Sequence, residues 1–165
     1  MKSNYLEELV AEWYEYQGYF VRRNVQVERR KRGGYESELD VVAFNPATKH
    51  LIHVETSMDA ASWEKREKRF LKKFELGKKH IPSLFKGLEI PTIEQAVVLV
   101  FASKKNHDIL GGGRIIMINE LLRDILEGIK DKKMESAAIF EQYPILRTLQ
   151  FVVRAKSQIK EVLFP

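Results

Sequence analysis

The chain has 165 residues, 44% of them hydrophobic, with 28 basic and 23 acidic side chains for a net charge of +5; it has the size of one domain that buries its own core. There is no cysteine, which excludes disulfides, zinc–thiolate centres and thiol nucleophiles. The opening MKSNYLEELVAEWYEY lacks an apolar core with a small-residue cleavage site, and no later run is long enough to span a bilayer, so a cytoplasmic protein without a membrane partner is expected.

Residues 4 to 17 are predicted to form the first helix. Asn4 and Glu7 have capping-box spacing, Leu6, Leu9, Val10 and Trp13 repeat with helical period, and Gly18 is a C-terminal stop. Glu7 and Glu12 border the apolar stripe, with Glu8 and Glu15 further out. Tyr19 to Glu28 reads as a strand. Arg29, Arg30, Lys31 and Arg32 follow, next to Gly33 and Gly34, as a flexible basic loop suited to gripping a nucleic-acid backbone; a solvated turn is the plainer reading of the same run.

The stretch from Glu36 to Ser57, ESELDVVAFNPATKHLIHVETS, reads as two strands joined at Asn45-Pro46. Alternation places Asp40, Val42 and Phe44 on one face of the first strand and His53, Glu55 and Ser57 on one face of the second. If Phe44 pairs with Leu51, Asp40 falls opposite Glu55, about 5 Å away. Two carboxylates that close repel unless a proton or cation sits between them. A divalent ion such as Mg²⁺, held by one or two carboxylates plus water and substrate phosphate, is the natural occupant; a solvated hairpin face carrying two acids is the alternative.

Ala60 to His80 is expected to be a helix buried along Trp63, Phe70, Phe74 and Ile81, with Lys65, Lys68, Arg69, Lys72 and Lys73 around the rest, weakened at Gly77 and stopped by Pro82. Gln95 to Ser103 reads as a strand covered on both faces, Arg114 to Ile118 as another, and Asn119 as the cap of a helix through Ile129. After a polar connector, Lys130 to Lys133, Pro144 opens a last helix ending near residue 157, which either packs on the core or forms a homodimer surface. The order predicts an α/β fold, a central mixed β-sheet flanked by helices in a single domain over 1–165 with its core at about 4–130. Charge is concentrated around the hairpin: from Arg22 to Lys86 there are 16 basic and 9 acidic residues, against 12 and 14 elsewhere. A cationic surround of a carboxylate pair suits a phosphodiester substrate, with Lys72, Lys73 and the Arg29–Arg32 run as candidate DNA contacts.

The helix acid in Leu6-Glu7-Glu8-Leu9, followed by Glu38-Leu39-Asp40-Val41-Val42-Ala43 and His53-Val54-Glu55-Thr56-Ser57, resembles the restriction-endonuclease-like, PD-(D/E)XK, nuclease superfamily over roughly residues 5 to 75. The resemblance implies Mg²⁺, with Mn²⁺ as a substitute, held by Asp40, Glu55 and the carbonyl of Thr56, with Glu7 or else Glu8 as the helix acid. It departs from the pattern at Ser57, where the family carries the lysine that positions or activates the attacking water. Some members draw that lysine from a neighbouring helix, which makes Lys65 and Lys68 candidates by proximity. The function implied is Mg²⁺-dependent hydrolysis of DNA phosphodiesters; the alternative is a nuclease-derived module that has lost catalysis and only binds nucleic acid or a partner protein.

Other local look-alikes fall away. His53-Val54-Glu55 has the H-x-E of zinc deaminases without the P-C-x-x-C partner they need, and Gly111-Gly112-Gly113-Arg114 lacks the G-K-[ST] ending of a phosphate loop.

Overall fold

A computed structural model describes residues 4–102 and 106–164. Helix α1 (Tyr5–Tyr16) opens on the capping box: Asn4 Oδ1 accepts from the backbone N–H of Leu6 and Glu7, both at 3.0 Å, and Glu7 Oε2 accepts from the Asn4 N–H at 3.3 Å. Leu6, Leu9, Val10 and Ala11 are buried, and Gly18, with φ of 87°, turns the chain into the sheet.

Three antiparallel strands follow, β1 (Phe20–Arg29), β2 (Tyr35–Asn45) and β3 (His50–Ser57). The β1–β2 tip is a turn in which the Arg30 N–H donates to the Gly34 carbonyl at 2.9 Å, and residues 29–36 are all exposed. The β2–β3 turn is held by Asn45, whose Oδ1 accepts from the N–H of Ala47 and Thr48, at 3.0 and 3.2 Å. Helix α2 (Trp63–Leu84) crosses over to β4 (Ile93–Leu99), parallel to β3, and a short β5 (Ile109–Leu110) with β6 (Gly113–Met117) completes a six-stranded mixed sheet in the order β1-β2-β3-β4-β6-β5.

The central strands are buried on both faces, Val41, Ala43, Ile52, Val54, Ala96 and Val98 as completely as Val42, Leu51, Val97 and Leu99. Continuous burial of that kind explains the unbroken apolar runs of β2 to β4. α2 carries Phe70 and Phe74 into a cluster with Val97, Leu99, Leu110 and Ile115, and Ile81 into another with Val25, Val27, Leu39, Val42, Phe44 and Leu51.

Several boundaries differ from the sequence expectation. α2 continues through Pro82 to Leu84; proline's fixed φ is compatible with a helix, and burial of Ile81, with Leu84 against the same cluster, offsets the missing hydrogen bond. The β4 strand ends at Leu99, four residues before Ser103, which lies outside the described residues. Ile118 starts the helix α3 (Ile118–Ile129) directly after β6, so Asn119 sits inside its first turn rather than capping it. A short helix, α4 (Met134–Ala137), lies in a stretch expected to have none, and the expected last helix from Pro144 to about residue 157 is divided at Ala155 into α5 (Pro144–Arg154) and α6 (Lys156–Leu163), the latter running on beyond it.

The chain forms two compact units, residues 1–118 and 119–165. In the second, the buried Gln150 of α5 donates to the carbonyls of Lys132 and Ala137, at 2.9 and 3.0 Å, and accepts from the Ile139 N–H at 2.9 Å. One side chain thus pins the 132–139 segment to α5, satisfying backbone groups that would otherwise be buried unpaired. Among the described residues no helix is long and apolar enough to cross a membrane.

Candidate functional site

The β2–β3 register runs from Asn45 opposite His50 to Val41 opposite Val54. One further step would set Asp40 against Glu55, and at that step side chains replace backbone pairing. Glu55 Oε1 accepts from the Asp40 N–H at 3.3 Å, and Asp40 Oδ2 accepts from the Thr56 N–H at 2.9 Å and the Thr56 hydroxyl at 3.1 Å. On the other side of β2, the ladder to β1 passes from Arg23–Val41 to Val25–Leu39 across Asn24, whose φ of 53° is left-handed. The ladder is therefore interrupted on both sides of Asp40.

Each carboxylate is tied back through one oxygen and turned toward Lys73 with the other. His53 Nε2–H donates to Glu55 Oε1 at 2.7 Å; since that oxygen also accepts from the Asp40 N–H, the imidazole is the donor. His53 and Glu55 are both fully buried. The remaining oxygens, Asp40 Oδ1 and Glu55 Oε2, converge on Lys73 Nζ of α2, the first at 2.7 Å and the second in closer contact. Burial pushes the Glu55 carboxyl above the ordinary glutamate value, with Asp40 adding to the rise and His53 and Lys73 opposing it. For Lys73, burial acts against the charge, but the Glu55 and Asp40 carboxylates outweigh it and hold the ammonium above its ordinary value.

Glu7 belongs to the same electrostatic neighbourhood. Its pKa is raised by burial first and by the charge of Asp40 second, while Lys73 acts to lower it. Glu8 faces away, in an ion pair with Arg23 at 3.4 Å, and Glu12 is buried in α1. Ser57 is buried and serves a different group: its hydroxyl accepts from Arg69 at 3.2 Å, while Arg69 also binds Asp59 at 2.6 Å. The Arg69 guanidinium holds the Asp59 carboxyl well below the usual carboxylate range.

Lys65 and Lys68, the helix lysines nearest Ser57 in sequence, do not provide the ammonium at the acids. Both are exposed, and Lys68 pairs with Glu64 at 2.9 Å. Lys73, read from the sequence as a DNA contact, stands there instead; Lys72 is exposed beside it. The reason is a matched ruler. α2 runs back along β3, and four helical residues rise about 6 Å while two strand residues rise about 6.6 Å. Arg69 meets Ser57, Lys73 meets Glu55, Gly77 meets His53, and Ile81 joins the cluster of Leu51. Gly77 is the telltale member. A Cβ there would overlap the His53 ring, so the glycine that weakens the helix on paper is what lets the imidazole stand behind Glu55.

Among the described residues no group of three or more His, Cys, Asp or Glu side chains is arranged to hold a metal. The donor set still fits Mg²⁺, which keeps several waters and takes one or two carboxylates together with substrate phosphate. Asp40 Oδ1 and Glu55 Oε2 already converge on a single positive charge, and their partner oxygens are fixed by Thr56 and His53. Thr56 reaches the pair through its N–H and hydroxyl, both on Asp40.

No family model matches the chain, and no curated protein matches it. Among solved structures the chain is similar to the crystal structure of a protein of unknown function, AF1548, at 16% identity and a TM-score of 0.48, over 90% of this chain and 96% of that one.

Proposed function

We propose that the chain is a Mg²⁺-dependent DNA endonuclease with a restriction-endonuclease-like, PD-(D/E)XK, fold, hydrolysing phosphodiester bonds at Asp40 and Glu55. The observation that carries this reading is the convergence of one oxygen from each acid on a single cation, the Lys73 ammonium, while the other oxygens are tied back. Bound there, Mg²⁺ or Mn²⁺ would activate the attacking water and offset the charge that builds on the phosphoryl oxygens. In the hydrolysis, the water oxygen forms a new bond to phosphorus, the ester P–O bond breaks, and the leaving oxygen takes up a proton.

The protein's own groups supply positioning and charge. Thr56 and His53 fix the two carboxylates against rotation, and Glu7 adds a third acid at the edge of the site. Lys73 fills the position left open by Ser57. Moved off the acid pair when a metal binds, its ammonium would serve as a cation toward the phosphate. The exposed run Arg29, Arg30, Lys31 and Arg32, with Lys72 on α2, supplies charge for the flanking backbone.

A second reading has one observation in its favour. Lys73 bridges both acids and occupies the point where a metal would bind, as it would in a nuclease-derived module that binds DNA without cutting it. Labelled single-stranded, duplex and branched DNA incubated with Mg²⁺ separates the two. Cleavage that disappears in Asp40→Ala and Glu55→Ala supports the nuclease. Salt-sensitive binding with no metal-dependent cleavage supports the module, and cleavage that survives both substitutions places the chemistry elsewhere.

A further inference from the structure

Between the β1–β2 hairpin and α2 lies a groove of about 610 Å³, lined among others by Gln26, Arg30, Tyr35, Glu38 and Lys73. Its wall includes Lys73, the residue whose ammonium touches both Asp40 and Glu55. That volume is in the range of cavities that take one small ligand, enough for a single nucleotide.

The lining is specific in kind. Tyr35 is 44% exposed, an aromatic ring at the first position of β2, opposite Arg29 in the ladder. Glu38 Oε2 is buried without a hydrogen-bond partner, an acceptor that is costly to leave unpaired. Arg30 stands at the hairpin turn, fixed through its backbone to Gly34. An aromatic face, an unpaired acceptor and flanking cations match, in order, the face of an unstacked base, its exocyclic amine and its phosphates. A base stacked in a duplex keeps its amine in the major groove but hides its face, so it is the stacking on Tyr35 that calls for an unstacked base.

Building on the endonuclease reading, we propose that the substrate is single-stranded DNA, or the unpaired strand of a frayed or branched DNA, and that this groove takes the base beside the scissile phosphate. Tyr35 stacks on it and Glu38 accepts from the exocyclic amine of cytosine or adenine.

The test reads binding without cleavage. Short oligonucleotides carrying 2-aminopurine, single-stranded or in a matched duplex, are titrated with the full chain in Ca²⁺. The single strand is expected to bind at least about tenfold more tightly, with stacking-dependent quenching, and oligo-dC to bind more tightly than oligo-dT. Tyr35→Phe keeps affinity and quenching; Tyr35→Leu, at an exposed position, loses about tenfold in affinity together with the quenching. Glu38→Leu removes the preference for oligo-dC. Equal affinity for duplex, equal behaviour of Tyr35→Leu and Tyr35→Phe, or tighter binding of single-stranded RNA overturns the inference. Mg²⁺-dependent cleavage and its loss in Asp40→Ala are scored separately, so a nuclease acting on intact duplex is told apart from a single-strand binder that does not cut.

Discussion

Two histidines three residues apart on β3 make the same kind of bond at nearly the same length, in opposite surroundings. His53 Nε2 lies 2.7 Å from Glu55, with both side chains fully buried; His50 Nε2 lies 2.6 Å from Glu94, with the two side chains 34% and 37% exposed. His50 also bonds the Tyr19 hydroxyl at 2.6 Å, and Glu94 bonds Arg114, so this outer cluster is as well connected as the inner one. Yet burial dominates Glu55 and raises its pKa, whereas at Glu94 the opposing burial is outweighed by Arg114 and His50 and the pKa falls. Hydrogen-bond geometry alone does not separate these two carboxylates. Desolvation does, because it keeps a second acid and an ammonium interacting strongly instead of leaving them to water.

The contrast can be broken most forcefully at Lys73. Lys73→Met leaves two acids facing each other without a cation, and the expected cost is about 3–5 kcal/mol in urea unfolding, as for other half-removed buried pairs. Mg²⁺ should recover part of that loss by mass action, while cleavage falls by about 10²–10³ if Lys73 supports the transition state. A variant of unchanged stability that gains nothing from Mg²⁺ would show that the ammonium and a metal do not share a position.

Replacing the histidines sharpens the comparison. His53→Ala empties a buried ring site that packs edge-on against Phe74 and strips a hydrogen bond from Glu55, for an expected loss of about 2–4 kcal/mol. His50→Ala should cost no more than about 1 kcal/mol, because its ion pair is exposed to solvent. Similar losses for the two would remove the distinction drawn from burial. Gly77→Ala forces a methyl against the His53 ring, and an expected 1–3 kcal/mol, roughly, should appear although alanine is the better helix former.

Most of the framework was legible in the sequence: the capped first helix, the hairpin about Asn45, and the pairing of Phe44 with Leu51 that brings Asp40 toward Glu55. These depend on local periodicity and turn chemistry. The lysine was not legible by proximity, since Lys65 and Lys68 are closer to Ser57 in sequence yet sit a helical turn or more too early. Only the pitch of α2 against β3 selects Lys73, and the one local sign of that register was a glycine inside a helix, opposite a histidine. His53 carries no metal signal in the sequence, since H-x-E without cysteine lacks the zinc-deaminase partner; as a donor to the neighbouring acid on its own strand face it needs none. α4 left only a short polar stretch, too short for helical periodicity to show, whereas in α6 Ile159, Val162 and Leu163 do keep helical spacing.

Proton titration gives the subtlest test. Lys73 has a folded pKa above its ordinary 10.5, so its stabilising contribution is complete below that value and is lost as pH rises through the raised folded value. Glu94 has a folded pKa below its ordinary 4.5, so its contribution is present above 4.5 and disappears as pH falls through the depressed folded value. Lys73→Met should therefore flatten the alkaline limb of a stability profile and Glu94→Gln the acid limb. Glu55 takes up its proton at higher pH than an ordinary glutamate, so divalent-ion uptake should weaken with falling pH before the fold does.

The most direct measurement is anomalous diffraction from crystals soaked in Mn²⁺. The expected result is a single peak about 2.1–2.2 Å from both Asp40 Oδ1 and Glu55 Oε2, with Lys73 Nζ moved off the pair. Saturating Mn²⁺ that leaves no peak there, with Lys73 still bridging both carboxylates, would contradict a metal-dependent site at this end of the sheet.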